Sequence, residues 1–216
     1  MRLKDERYEE IKKEVAYMFE DYDVTDIAID VFKIAEKMNI KIVYASEIIA
    51  KSKGKITEYS LYGFPSSYLH YNESEQIFYV HIDDVGTGIN RQRFSMAHEI
   101  MHIRLGHQEQ NAKNEAEANF GAQYMLSPTS LVLLDVGNLL FQEENFIRCV
   151  FEVSEPIAIT SARYNYNRIH YFDLKPRDYE EIINSQLGNS FKKNYLTKIK
   201  SIALVVLCSK NHIKIP

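Results

Sequence analysis

The chain has 216 residues, 45% of them hydrophobic, which is the proportion expected of a globular protein with an ordinary core. Its formal net charge is −4 at pH 7, so the overall charge gives no reason to expect a nucleic-acid partner. Residues 1–10 lack the apolar stretch of a secretory signal, the apolar run 202–208 is too short to span a membrane, and the two cysteines form no C-x-x-C pair, so we expect a cytoplasmic protein.

The first 82 residues are predicted to form two helices followed by short strands. Apolar residues recur at helical spacing in residues 3–20, and again in a second helix that runs from a cap at Thr25 or Asp26 to Met38. β-branched and alternating residues then predict strands, in chain order at 40–45, twice within 57–70 around Gly63-Phe64-Pro65, and at 76–82.

Residues 98–102 read His-Glu-Ile-Met-His, which is the H-E-x-x-H spacing of metallopeptidase helices. His98 and His102 are four residues apart and therefore lie on the same face of a helix, where both imidazoles can bind one cation. Glu99 is placed to reach a metal-bound water as the catalytic general base. The flanking residues are apolar nearly all round, so we expect this helix, which begins after Asn90 and ends before Gly106, to lie in the core.

A third protein ligand is expected, because catalytic zinc sites commonly have three protein ligands and a water. The next predicted helix, residues 111–125, carries two candidates, Glu115 and Glu117. In the gluzincin pattern the ligand Glu is followed four residues later by an Asp or Asn that orients a ligand histidine, and Glu115 with Asn119 fits that spacing. Glu117 points about 160° away from that face of the helix. The predicted metal ligands are therefore His98, His102 and Glu115.

These ligands suit Zn²⁺, and nitrogen and carboxylate ligands are also compatible with Mn²⁺ or Fe²⁺. The metal is expected to lower the pKa of its bound water and to polarise the scissile carbonyl, while Glu99 accepts the proton and passes it to the leaving amine. An oxyanion stabiliser is also expected. Three residues lie within plausible sequence reach, although we interpret each of them as structural: Tyr124, His81 and His107.

The rest of the chain is predicted to be mainly helical. Residues 131–141 are apolar with a break near Gly137-Asn138, and Ser154 caps a helix that runs to Tyr171. The pair of helices at 145–171 could be a helix-turn-helix, but its tyrosines and apolar residues favour packing on the core. Residues 191–216 contain six Lys and no acidic residue. We interpret this tail as a solvated helix followed by a strand, with contact to phosphate or to an acidic partner as the alternative.

Together these elements predict an α+β fold, namely a zincin-like metallopeptidase domain with a small antiparallel or mixed sheet and a helical C-terminal part. We divide the chain into a metallopeptidase core at 1–128, a helical part at 129–171 that packs on it, and an extension of unknown role at 172–216. A zincin-type cleft needs a strand beside the H-E-x-x-H helix, and we expect residues 76–82 to bind an extended peptide along an exposed edge.

Two blocks of sequence resemble the ImmA/IrrE family of metallopeptidases. That family has R-F-x-x-A-H-E-x-x-H followed by E-x-E-A-N-x-F-A and a final Pro, and this chain has RQRFSMAHEIMH at 91–102 and NEAEANFGAQYMLSP at 114–128. Weaker similarity extends over about residues 5–170. Met101 stands where the family usually has Gly, and Gly121 where it usually has Ala. Neither departure removes a ligand, and Met101 is expected to alter packing over the site.

The resemblance implies a metal-dependent, site-specific peptidase. Relatives commonly cleave a helix-turn-helix transcriptional repressor encoded nearby, so we expect a protein substrate of that kind, no nucleic-acid partner and no membrane association. A rival interpretation is a regulatory or toxin–antitoxin component that uses the same fold to bind a partner without hydrolysis. A third is a DNA-binding regulator that uses residues 145–171 and the basic tail.

Overall fold

The computed structural model describes residues 3–53, 55, 66–135 and 144–210. These residues form eight α-helices, one 3₁₀ helix and a three-stranded sheet, so the predicted α+β class is confirmed. The elements follow in this order: α1 (Asp5–Asp21), α2 (Val31–Lys37), β1 (Lys41–Tyr44), α3 (Ala45–Lys51), β2 (Ser67–Asn72), β3 (Ile77–Ile82), α4 (Ile89–Arg104), α5 (Ala112–Leu126), the 3₁₀ helix (Thr129–Asp135), α6 (Glu144–Phe151), α7 (Glu155–Tyr171) and α8 (Asp178–Lys210).

The sheet is mixed and has the strand order β1-β3-β2. β1 runs parallel to β3, whereas β2 runs antiparallel to it, with Ser67 opposite Ile82. Since β3 is paired on both sides, it has no free row of backbone N–H and C=O groups. The expectation that residues 76–82 offer an exposed edge is therefore wrong, and the strand at the edge beside α4 is β2.

The helices enclose one apolar core around the sheet. α4 and α5 pack closely against each other, α1 packs on α5 and α8, and α8 also contacts the 3₁₀ helix. The largest fully buried side chains come from several of these elements and include Phe19, Met96, Ile100, Met125 and Phe191. Of the helices within the described ranges, none is both long and apolar enough to cross a membrane.

Two predicted helix starts are wrong: α4 is capped by Gly88 and begins at Ile89 and not after Asn90, and α2 starts later than predicted. α2 begins only at Val31, and Asp30 caps it by accepting bonds from the N–H groups of Phe32 and Lys33. The preceding segment is not helical, since Ala28 has a positive φ of 63°, and the N–H of Ile27 donates to Ser190 Oγ at 2.9 Å. At the other end of the chain, α8 continues to Lys210, and the strand predicted after this helix lies outside the described residues.

The C-terminal helix packs against the N-terminal helix in its first turns, and the tail predicted to be solvated at 191–216 has two buried residues near its beginning. Tyr179 donates a hydrogen bond of 2.5 Å to Glu9, and Arg177 lies 3.0 Å from the same carboxylate. Phe191 and Tyr195, further along α8, are buried. The predicted division of the chain into three parts, with boundaries after residues 128 and 171, stays a prediction. Two other predictions, the turn at 63–65 and the break at 137–138, lie outside the described residues.

Arg93, on the first turns of α4, joins three segments that are distant in sequence. Its guanidinium donates to the backbone carbonyl of Ile29, at 3.1 Å, and to that of Glu152 in the turn between α6 and α7. Burial lowers the pKa of Arg93. The residue thus fastens the start of α4 to the segment before α2 and to the helical C-terminal part.

Candidate metal centre

Helix geometry brings the H-E-x-x-H residues to one side of α4. His98 and His102 lie one turn apart, with ring centroids separated by 4.6 Å. The chain leaves α4 through Gly106, whose positive φ of 67° suits a glycine after a helix end. Asn111 then caps α5 by accepting from the N–H groups of Lys113 and Asn114, which places Glu115 in the first turn of α5 and facing α4.

Three ligand atoms converge on one point. The Nε2 atoms of His98 and His102 lie 3.0 Å apart, and the Glu115 carboxylate oxygens lie 3.3 Å from the first and 3.4 Å from the second. Around a tetrahedral zinc ion with bonds of about 2.0–2.1 Å, ligand atoms are ~3.3 Å apart. Two imidazole nitrogens and a carboxylate at this spacing therefore fit a divalent cation, and they form a cluster able to hold one.

The electrostatic surroundings favour neutral imidazoles, which is the form that binds metals. Burial, together with His98 and His107 nearby, lowers the pKa of His102 to about 4. Burial also lowers the pKa of His98, against the opposing influence of Glu115 and Asn119. Because a neutral imidazole has a free lone pair on one ring nitrogen, both residues can bind a cation without first losing a proton.

Glu99 is buried beside this cluster and is held by a hydrogen bond. Ser67, the first residue of β2, donates from its hydroxyl to Glu99 Oε1 at 2.6 Å. Burial raises the pKa of Glu99, with a smaller contribution from Glu115, whereas the bond from Ser67 lowers it. A carboxylate with a raised pKa has a proton affinity closer to that needed of a general base at neutral pH.

The cluster opens into a cleft of about 700 Å³ between β2, α4, the turn after α4 and the start of α5. Residues 66–69 form one wall, and Arg91 and Phe94 of α4 lie beside them. Arg91 donates to Ser66 Oγ from Nε at 3.1 Å and from a terminal nitrogen at 2.9 Å. The wall built by β2 is thus fastened directly to the helix that carries the histidines.

The structure brings four of the predicted site residues together, places Glu117 away from them, and places Asn119 beside His98. His98, Glu99, His102 and Glu115 line the cleft together, whereas Glu117 points elsewhere and pairs with Arg7. Asn119 also lines the cleft and lies close enough to His98 to influence its pKa, although the buried His98 Nδ1 has no hydrogen-bond partner among the described residues.

None of the three residues considered for oxyanion stabilisation faces the cleft with a free donor. Tyr124 is buried and His81 lies on β3, and neither is among the described residues that line the cleft. His107 does line it, but both of its ring nitrogens already face partners, one on His102 and one on Glu117. The expectation that all three are structural therefore fits their positions.

Sequence reasoning missed Ser67, and no local pattern points to it. The residue lies in a stretch of weak alternation, and its partner Glu99 is 32 residues further along the chain. Only the antiparallel pairing of β2 with β3, and the packing of α4 against both strands, bring the hydroxyl to the carboxylate.

Residues 35–159 match the model of the peptidase M78 family, described as the IrrE N-terminal-like domain. No curated protein and no solved structure matches the chain. The family match includes all of α4 and α5 but leaves α1 outside it. Since it covers more than half of the chain, the chain belongs to the ImmA/IrrE family, a family of metal-dependent peptidases.

Proposed function

We propose that this member of the ImmA/IrrE family is a zinc-dependent endopeptidase, with His98, His102 and Glu115 as metal ligands and Glu99 as the general base. The convergence of three ligand atoms at tetrahedral spacing next to a buried carboxylate carries this proposal. A bound Zn²⁺ supplies a water of lowered pKa and polarises the scissile carbonyl. Mn²⁺ and Fe²⁺ also bind nitrogen and carboxylate ligands, so the experiment below tests all three metals.

Glu99 takes the proton from the attacking water and returns it to the leaving amine. Both transfers require the carboxyl group to keep one orientation through the reaction. The bond from Ser67 supplies this, because it holds Oε1 from the side of β2. The raised pKa of Glu99 also reduces the free-energy difference between its protonated and ionised forms at neutral pH.

The substrate lies along β2. In the described part of the chain, β2 pairs only with β3, so its outer side has backbone groups available for an added strand. Ser66 to Leu69 lie at the end of this edge nearest the metal ligands, and Tyr68 is 49% exposed. A cleft of about 700 Å³ takes a short extended segment, so the scissile bond belongs to a linker or loop of the substrate and not to one of its helices.

The resemblance to repressor-cleaving relatives supports a helix-turn-helix repressor as the substrate. The test uses the purified chain loaded with Zn²⁺, Mn²⁺ or Fe²⁺ and the helix-turn-helix repressor encoded nearest to its gene, with products identified by mass spectrometry. We expect one cleavage site and complete loss of cleavage after chelation. Binding of the repressor without cleavage under all three metals would instead support the partner-binding interpretation.

The variant Glu99→Gln separates catalysis from binding. It should keep the metal and lose about 10²–10⁴-fold in cleavage rate. Glu20→Gln is the matched control, because Glu20 is an exposed residue of α1 away from the cleft, and it should cut at the normal rate. With substrate bound to the Glu99→Gln variant, amide hydrogen exchange should slow in 67–72. Slowing elsewhere but not there would rule out the β2 edge.

A further inference from the structure

A chain of buried polar contacts leads away from the second ring nitrogen of His102. The Nδ1 atom of His102 lies 3.0 Å from Nδ1 of His107. The Nε2 atom of His107 lies 3.2 Å from Oε2 of Glu117, and the same oxygen accepts a bond of 2.5 Å from Arg7. The side chains of His107 and Glu117 are only 6% and 1% exposed. We call His107, Glu117 and Arg7 the relay.

The direction of the hydrogen bonds follows from the carboxylate end of the relay. The Glu117 carboxylate is paired with two cations: its Oε2 accepts from Arg7 at 2.5 Å, and its Oε1 lies 3.6 Å from the ammonium group of Lys113. An ionised carboxylate only accepts hydrogen bonds, so His107 donates to it from Nε2. With its hydrogen on Nε2, the His107 ring accepts at Nδ1, so the hydrogen between the two rings belongs to His102.

This order of donors fixes the tautomer of His102. With its hydrogen on Nδ1, the free lone pair is on Nε2, the atom that faces His98 and Glu115. A metal-binding histidine is commonly oriented in this way by a hydrogen bond from its other ring nitrogen. Here the acceptor is a second histidine, which is itself oriented by an ion-paired carboxylate.

We propose that the relay positions the imidazole of His102, in orientation and tautomer, to bind a metal ion. This inference rests on the metal site of the proposed function and adds to it a contribution from α1. Arg7 lies on that helix, 110 residues from Glu117 and outside residues 35–159, which match the family. The three relay residues are positioning residues, because they act on the metal through His102.

The test measures the affinity of the full chain for Zn²⁺ by competition with a chromophoric chelator, alongside the melting temperature of the metal-free protein. His107→Phe keeps the ring shape but removes the acceptor, and we expect it to weaken zinc binding about 10–100-fold. His107→Gln should recover most of the affinity, because a side-chain amide can accept from His102 and donate to Glu117. Arg7→Gln should weaken binding less, with the same sign.

Glu14→Gln is the matched control for Arg7→Gln. Glu14 pairs with Arg104 at 2.9 Å, so its loss breaks another ion pair of α1 without touching the relay. We expect this control to lower the melting temperature of the metal-free protein and to leave zinc affinity unchanged. A merely structural role for the relay predicts that Arg7→Gln behaves like Glu14→Gln, and that result overturns the proposal.

The outcomes for the relay and for the proposed function are distinguishable. If the unaltered chain binds none of Zn²⁺, Mn²⁺ or Fe²⁺, the metal site itself is wrong. If it binds Zn²⁺ and His107→Phe binds it equally well, the relay is wrong and the metal site stands. Should His107→Phe fail to fold, the comparison of Arg7→Gln with Glu14→Gln decides.

Discussion

The α4–α5 pair makes two very different contacts. Where the helices face the cleft, polar donors from both converge and leave room for a cation between them. Along their packed seam, Met101 of α4 lies against Gly121 of α5, and a Cβ added at Gly121 would be 2.6 Å from Met101 Cε. Because this seam is closely packed, it sets the distance between the two helices. The spacing of the ligand atoms depends on that distance.

The largest effect should follow removal of the ligand that α5 provides. Glu115→Gln takes away the charged donor of the cluster, and we expect zinc affinity to fall by at least about 100-fold, more than for a residue that only supports a ligand. Glu109→Gln, an exposed acid that lines the same cleft, is the control and should keep the affinity in the same chelator competition. Equal affinities would show that Glu115 is not a ligand.

A substitution in the seam between α4 and α5 should lower the stability of the protein. Gly121→Ala places a methyl group against the fully buried Met101, and we expect a loss of about 1–3 kcal/mol in the free energy of unfolding, measured by urea denaturation of the metal-free protein. In a Met101→Ala background the same change should cost little, because the space is then available. Additive effects of the two substitutions would contradict a direct contact.

The smallest effect should come from the wall of the cleft. Ser67→Ala removes the bond that orients Glu99, and we expect cleavage to slow by roughly tenfold or less, in line with about 1 kcal/mol for one hydrogen bond. Zinc affinity should not change, since no ligand is touched. Ser74→Ala, in the turn between β2 and β3, is the control and should leave the rate unchanged.

The α4–α5 pair was the most predictable part of the molecule because its signals are local. The four-residue spacing of His98 and His102 and the helix predicted at 111–125 can each be interpreted from the residues of a single helix. The same helical geometry separates Glu115 from Glu117, and the structure brings the first to the histidines and the second to Arg7. The roles of His98, His102 and Glu115 as metal ligands stay predictions until metal binding is measured.

What escaped prediction depends on contacts between distant parts of the chain. Whether a strand is central or at an edge is decided by its partners, so the pattern of residues 76–82 could not reveal that β2 covers that strand. The relay joins residues 110 positions apart. Met101 and Gly121 are two departures from the family pattern that looked unrelated in the sequence. Their contact shows that the long side chain of Met101 fits only because residue 121, which faces it, has no side chain.

The bonds of Arg93 bear on the order in which the molecule assembles. They join residues that are 64 and 59 positions apart in the sequence. Closing loops of that length costs conformational entropy, and the hydrogen bonds of one side chain do not compensate for this cost at an early stage of folding. The hairpin of α4 and α5 involves far shorter loops and can form first. We therefore expect the guanidinium to engage both carbonyls after the transition state, where its contribution slows unfolding and leaves the folding rate almost untouched.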